Sequence, residues 1–276
     1  MTAAELITRP ASNTTAVPTG SLLKLAISSE WVKLKSVRST MWSLAATVGF
    51  TVGLGMLFSY AFLHRDANDA RDVLRFDPTS RALQGVFLAQ LAVGVLGVLT
   101  MSSEHSTGMI RSSIAAVPQR RVLLTAKAIV LGTVTLVIGM SASFLAFFAG
   151  QAILATQHFG VSINDPGVLR AVLGAGTYLT MIALFGLAIG TIVRRTPGAI
   201  SALFAIVLIF PLLAEAFPAP WNIRIGRLLP LNAGQAMFTV RVEPDLLTPR
   251  GGLVVFSVWL VGAYILATGL LTKRDV

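Results

Sequence analysis

The chain has 276 residues, 54% of them apolar and only 12% charged, no cysteine, and a formal net charge of +10. A soluble domain carries about 25% charge, and a mean hydropathy of +0.76 adds more apolar surface than a folded interior of this size can hide from water. Disulfide scaffolds and thiolate metal sites are excluded, and lipid is the solvent that the composition asks for.

Residues 1–20, MTAAELITRPASNTTAVPTG, contain no apolar h-region and read as a flexible cytoplasmic tail, not a signal peptide. In 21–40, SLLKLAISSEWVKLKSVRST, Leu23, Ile27, Trp31 and Leu34 recur at helical spacing while Lys24, Ser28 and Lys35 fall opposite. The pattern predicts an amphipathic helix with a basic side, lying in the membrane interface. The other reading is a plain basic flank to the first span.

A hydrocarbon core of about 30 Å needs about 20 apolar residues per helix. Six stretches meet that demand, at about 42–63, 83–101, 122–150, 168–193, 198–217 and 252–271. The fold class is therefore an all-α integral membrane protein with six transmembrane helices, residues 41–276 forming the six-span unit. With both termini inside, all five lysines (Lys24, Lys33, Lys35, Lys127 and Lys273) fall on the inner face, together with most of the positive excess. That asymmetry predicts an N-in/C-in topology and attraction to an anionic leaflet. Nucleic-acid binding is the weaker reading, because no basic groove with stacking aromatics is present.

Chemistry inside the spans is sparse. Asp and Glu gather at 66–77 and 243–245 on the outer side, and Lys127 stands at the start of span three, where its amine can snorkel inward. A span without a carboxylate relay argues against an ion-coupled carrier. There is no GxxxxGK[ST] phosphate loop, GxGxxG, HExxH or GxSxG. His64, His105 and His158 fall on both sides of the expected membrane and share no metal. Catalysis within this chain is not expected.

Between spans two and three lies a polar interlude, SSEHSTGMIRSSIAAVPQRR (102–121). It reads equally well as a projecting lever helix or as a plain connector. Glu104 and Arg111, seven residues apart, would share one face of a continuous helix. The segment 215–250 is rich in proline and reads as an outer loop. Glycines in span one (Gly49, Gly53 and Gly55) and span two (Gly85, Gly94 and Gly97) suit close helix contacts, and Pro211 is placed to kink span five.

Taken together, SEWVKLKSVRSTMWSL (29–44), the 102–121 segment and LLPLNAGQAMF (228–238) resemble the ABC-2-type permeases of actinobacterial ABC transporters. The resemblance implies that the helix at 21–40 lies on the inner leaflet. It also implies that Glu104, His105, Ser106, Thr107, Gly108, Met109, Ile110 and Arg111 form or border a coupling helix that docks on a separate cytoplasmic ATPase. ATP and Mg would be held by that partner, with no cofactor or metal in this chain. Two permease chains would pair, and short re-entrant helices would occupy part of 215–250. The resemblance implies efflux, and hydroxyls such as Thr133, Thr135, Ser141, Ser143, Thr177 and Thr180 in otherwise apolar spans suit an apolar or amphiphilic cargo, though they equally suit ordinary lipid-facing helices. A membrane anchor or scaffold that recruits a soluble protein, or an ion-coupled carrier or channel, are the readings from other classes.

Overall fold

The computed structural model describes residues 19–64, 77–241 and 246–273. The expected tail, up to residue 18, and most of the two acidic stretches lie outside the described residues. Lipid cannot hydrogen-bond an exposed peptide group, so a spanning chain must satisfy its backbone internally. Among the described residues the regular structure is accordingly helical.

Helix α1 (Thr19–Ser36) ends at Val37, whose extended backbone turns the chain into α2 (Arg38–Leu63). The last residues of the expected interfacial segment thus belong to span one. A single turn, α3 (Pro78–Ala82), follows. Its Asp77 cap accepts hydrogen bonds from the Thr79 and Ser80 N–H groups, and Pro78 takes the first position, where no donor is missed. Then come α4 (Val86–Ser106), the two-turn α5 (Met109–Ala116), α6 (Arg120–Leu154) and α7 (Val168–Val193). Span five is composite, with α8 (Thr196–Phe204), a π turn (Ala205–Ile209) and α9 (Phe210–Glu215) in line. Two short helices, α10 (Trp221–Gly226) and α11 (Pro230–Phe238), precede α12 (Pro249–Lys273).

Six helical stretches are long and apolar enough to cross a membrane: Arg38–Leu63, Val86–Ser106, Arg120–Gln157, Val168–Val193, Thr196–Glu215 and Pro249–Lys273. The expected span four coincides with the observed helix, and the others differ only at their ends. Span two runs five residues beyond the expected 101, which brings Glu104 into the helix.

Helix α7 is the hub. Of its apolar window 78% is buried, against 11% for the last span, and it packs on α4, α6, α11 and α12. Membrane helices gain nothing from apolar contact alone, so close approach depends on small residues. A Cβ at Gly97 would strike the Ala183 carbonyl, and one at Gly186 the Gly94 carbonyl. Gly49 and Gly53, in contrast, face open space, so two of the expected contact glycines in span one make no contact. In span five the π turn covers Val207, the residue whose carbonyl a regular helix would pair with the missing N–H of Pro211.

The stretch after span five is largely helical. α11 buries Ala233, Ala236, Met237 and Phe238 against the bundle, with Gly234 beneath the Tyr178 ring. Trp259 Nε1 donates to Leu228 O at 2.9 Å, and Arg170 donates to Met237 O and Thr239 O at 3.2 and 2.7 Å. Asp77 adds a third tie by accepting from the Val240 N–H at 3.3 Å. Pro230 and Pro249 open helices and Pro220 caps another.

Candidate functional site

Opposite to that end, where α4 runs into α5, four charged side chains meet. α1 crosses α6 and turns Ala26, Glu30 and Leu34 inward, positions four residues apart on one face. Leu23 and Ile27 are half-buried beside them. Trp31 is not part of this face. It is exposed, as are Leu25 and Val32, with the Lys35 ammonium 4.8 Å from its ring centroid. The apolar stripe expected for α1 is therefore split, one part packed on the bundle and the other open to its surroundings. Lys24 and Lys35 are exposed, as their opposite-face assignment requires.

Glu30 and Lys33 from α1, Glu104 from the end of α4 and Lys127 from the first turns of α6 close a ring. Lys127 Nζ donates to Glu30 Oε2 at 2.8 Å and to Glu104 Oε1 at 2.7 Å, with Thr100 O at 3.4 Å as its third acceptor. Lys33 Nζ donates to Glu30 Oε1 and Glu104 Oε1, each at 2.9 Å, and to Ser113 Oγ of α5 at 3.0 Å. Both ammonium groups thus use all three of their donors. Lys127 is 1% exposed at its side chain and the two carboxylates are nearly as buried, while Lys33 is 29% exposed. Burial pushes the Lys33 amine down, but hydrogen bonds and attraction from Glu104 and Glu30 outweigh it and hold the group above its ordinary value.

Three expectations are corrected here. Lys127 does not snorkel to solvent, because two carboxylates meet it within the bundle. Glu104 does not stand free to meet a partner, since two lysines of its own chain neutralise it. Nor do Glu104 and Arg111 share a continuous helix face. The helix breaks at Thr107 and Gly108, and Gly108, at φ 74°, adopts the left-handed backbone that glycine tolerates best.

The remaining residues of the expected coupling segment divide by exposure. Ser106, Thr107, Gly108, Met109 and Arg111 are exposed, His105 is half-buried, and Ile110 is buried with Ser113 on the inner side of α5. Arg111, Ser112, Ala115 and Ala116 form the outward side of that helix. At the same end Thr196 Oγ1 donates to Ser102 Oγ at 2.9 Å, and Arg120 donates to the Leu271 carbonyl in the last turn of α12 at 2.8 Å. The end of span two is thereby tied to the start of span five, and the start of span three to the end of span six. The hydroxyls offered as cargo contacts are mostly spent locally: Thr133, Thr135, Thr177 and Thr180 each donate to the carbonyl four residues earlier.

Sequence reasoning missed Glu30, Lys33 and Ser113 as members of one site. Helical spacing by itself allows Glu30 and Lys33 only a local pair, and the crossing of α1 over α6 brings Lys127 to them.

A bundle of six apolar helices, with a helix laid across one end and a short polar helix anchored beneath it, defines a multi-pass membrane protein. A family model described as ABC-2 family transporter protein matches residues 26–212, and the chain belongs to that family. It is a permease subunit, a multi-pass protein of the bacterial plasma membrane. No curated protein matches the sequence at a significant level.

Proposed function

We propose that this permease subunit exports an apolar or amphiphilic cargo with energy from ATP hydrolysed, with Mg, on a separate cytoplasmic ATPase. Two permease chains would pair, as a homodimer or heterodimer, with N-in/C-in orientation. In that orientation α1 lies on the inner leaflet and α5 faces the cytoplasm.

The observation that supports the reading best is the two-sided character of α5. Its outward side, with Met109 and Arg111, is free for a partner. Its inward side reaches the charged ring through Ser113 and Lys33. A push on α5 would be carried to α1 through Glu30 and to spans two and three through Glu104 and Lys127. The exposed part of the coupling segment, Ser106 to Met109 and Arg111, forms the docking element, and Glu104, His105 and Ile110 support it from inside. Each buried carboxylate is neutralised by two ammonium groups, which gives no support to an ion-coupled carrier.

The test is a tagged pull-down from native membranes in mild detergent, comparing wild type with Arg111→Glu. Wild type should recover a soluble subunit bearing a GxxxxGK[ST] loop. The variant should lose it while keeping the elution profile of the wild-type permease. Equal recovery by both, or no ATPase with either, sinks the coupling reading.

A further inference from the structure

At the end of the bundle opposite the charged ring, the short helix α10 carries two cations that the fold does not use. Trp221, Arg224 and Ile225 are three and four residues apart on one face, Leu228 follows on the next turn, and all four are exposed. Arg227 caps α10 with a helical backbone, one turn beyond Arg224, and is half-buried. The other side of the helix holds the buried Gly226 and the half-buried Asn222 and Ile223.

Two contacts set the depth of this face. Leu228 O accepts from Trp259 Nε1, and Gly234 of α11 lies beneath the Tyr178 ring. Trp259 stands ten residues into α12 and Tyr178 ten residues into α7, each about 15 Å along its helix. The turn that joins α10 to α11 therefore dips into a hydrocarbon core about 30 Å thick. An arginine there is costly unless it is paired or its stem reaches water, and such residues mark paths and binding sites for the opposite charge.

Other arginines at this end are committed to the fold. Arg170 donates to Met237 O and Thr239 O, and Arg81 donates to Gln84 Oε1. Among the described residues, in contrast, neither the Arg224 nor the Arg227 guanidinium donates a hydrogen bond or meets a carboxylate. Arg224 lies 5.8 Å from the Trp221 ring centroid, a contact that leaves N–H donors free. Two unspent guanidinium groups repel a cationic head and gain charge-assisted, bidentate bonds from a phosphate or carboxylate. Trp221, Ile225 and Leu228 offer apolar surface to the chain attached to it.

We infer that the exposed face of α10 binds an anionic amphiphile, with Arg224 and Arg227 holding its head group and Trp221, Ile225 and Leu228 its apolar stem. A membrane lipid or the transported molecule could supply that chemistry. In the second case the inference rests on the export reading above and narrows its cargo to an anionic class. Binding is read without ATPase or transport, so failure of the coupling reading leaves the result standing.

The test uses the full chain in phosphatidylcholine nanodiscs, into which brominated phosphatidylglycerol or brominated phosphatidylcholine is titrated. Bromine quenches a tryptophan that touches the lipid, and the Trp221 signal is isolated by difference from Trp221→Phe. Each arginine should contribute on the order of fivefold to the preference for the anionic lipid. Arg224→Gln or Arg227→Gln alone should lower the preference by that factor, and the double variant should remove it while keeping the elution profile of wild type. Equal quenching of wild type by the two lipids overturns the proposal. Arg250→Gln, an exposed charge at the same end of the bundle, should leave the preference unchanged. A loss there as large as in Arg224→Gln would mean a diffuse positive surface and overturns the proposal as well. Mass spectrometry of protein purified from native membranes separates the sources. An anionic phospholipid retained by wild type and lost in the double variant identifies the membrane. A chain that carries no phospholipid yet prefers the anionic lipid in the disc identifies the transported molecule.

Discussion

Replacing Lys127 by methionine keeps the length of the side chain and removes its charge. Lys127 makes two ion pairs at 2.8 and 2.7 Å with its side chain 1% exposed. At an effective dielectric constant of about 20, one such contact attracts by roughly 5–6 kcal/mol. Desolvation of several kcal/mol per ion offsets most of that attraction while the ring is intact. Once the lysine is gone, the desolvation of Glu30 and Glu104 remains and only Lys33 answers two carboxylates. Breaking a buried pair in this way costs about 3–5 kcal/mol. The measurement is equilibrium unfolding of the purified chain in mild detergent, followed by helix content. Lys33→Met leaves the same two buried carboxylates to Lys127 alone, and should cost somewhat less than Lys127→Met, about 2–3 kcal/mol, because the lost ammonium was partly screened by solvent. Replacing all four charges together with Leu and Met should restore most of the Lys127→Met loss, because no charge is then left buried alone. Lys127→Met within about 0.5 kcal/mol of wild type would show that the ring is not desolvated as described.

Gly97→Ala should destabilise by about 1–3 kcal/mol, since the new methyl meets the Ala183 carbonyl at the α4 and α7 crossing. Gly53→Ala, which meets nothing, should be neutral or stabilising by up to about 1 kcal/mol in the same unfolding assay. Tyr178→Phe removes the hydroxyl that donates to Gln90 Oε1 in the buried interior, and leaving that oxygen unpaired should cost about 1–3 kcal/mol. Stability should also depend on alkaline pH through Lys33. Its folded pKa is raised above the ordinary 10.5, so its contribution is complete below that value and is lost as pH rises through the higher folded value. Unfolding midpoints from neutral to strongly alkaline pH should fall less steeply for Lys33→Met than for wild type, and parallel curves would refute the assignment.

The spans were legible because a lipid-facing helix declares itself in a run of apolar residues. Even the composite span five reads correctly, since its π turn and Pro211 interrupt the hydrogen bonding without changing the hydropathy. The charged site was not legible. Glu104 fell outside the expected span because the apolar run ends near 101, yet that span's helix continues to Ser106, carried by backbone bonds that need no apolar side chain. Trp31 appeared to belong with Leu23, Ile27 and Leu34, because helical spacing says which residues share a face and not which part of that face a neighbour covers.

By itself, the sequence determined that this is a six-span membrane protein with most of its positive charge on one side, because burial in lipid constrains composition helix by helix. It also marked 102–121 as a polar run that interrupts the hydrophobic pattern, while the helix break at Gly108 that sets α5 apart came from the structure. Tertiary structure alone decided that Glu30, Lys33, Glu104 and Lys127 neutralise one another and that one carboxylate oxygen is left over. Those facts depend on three helices distant in sequence crossing within hydrogen-bond reach. Pairing across such crossings is a property of packing, and no local pattern in the chain records it.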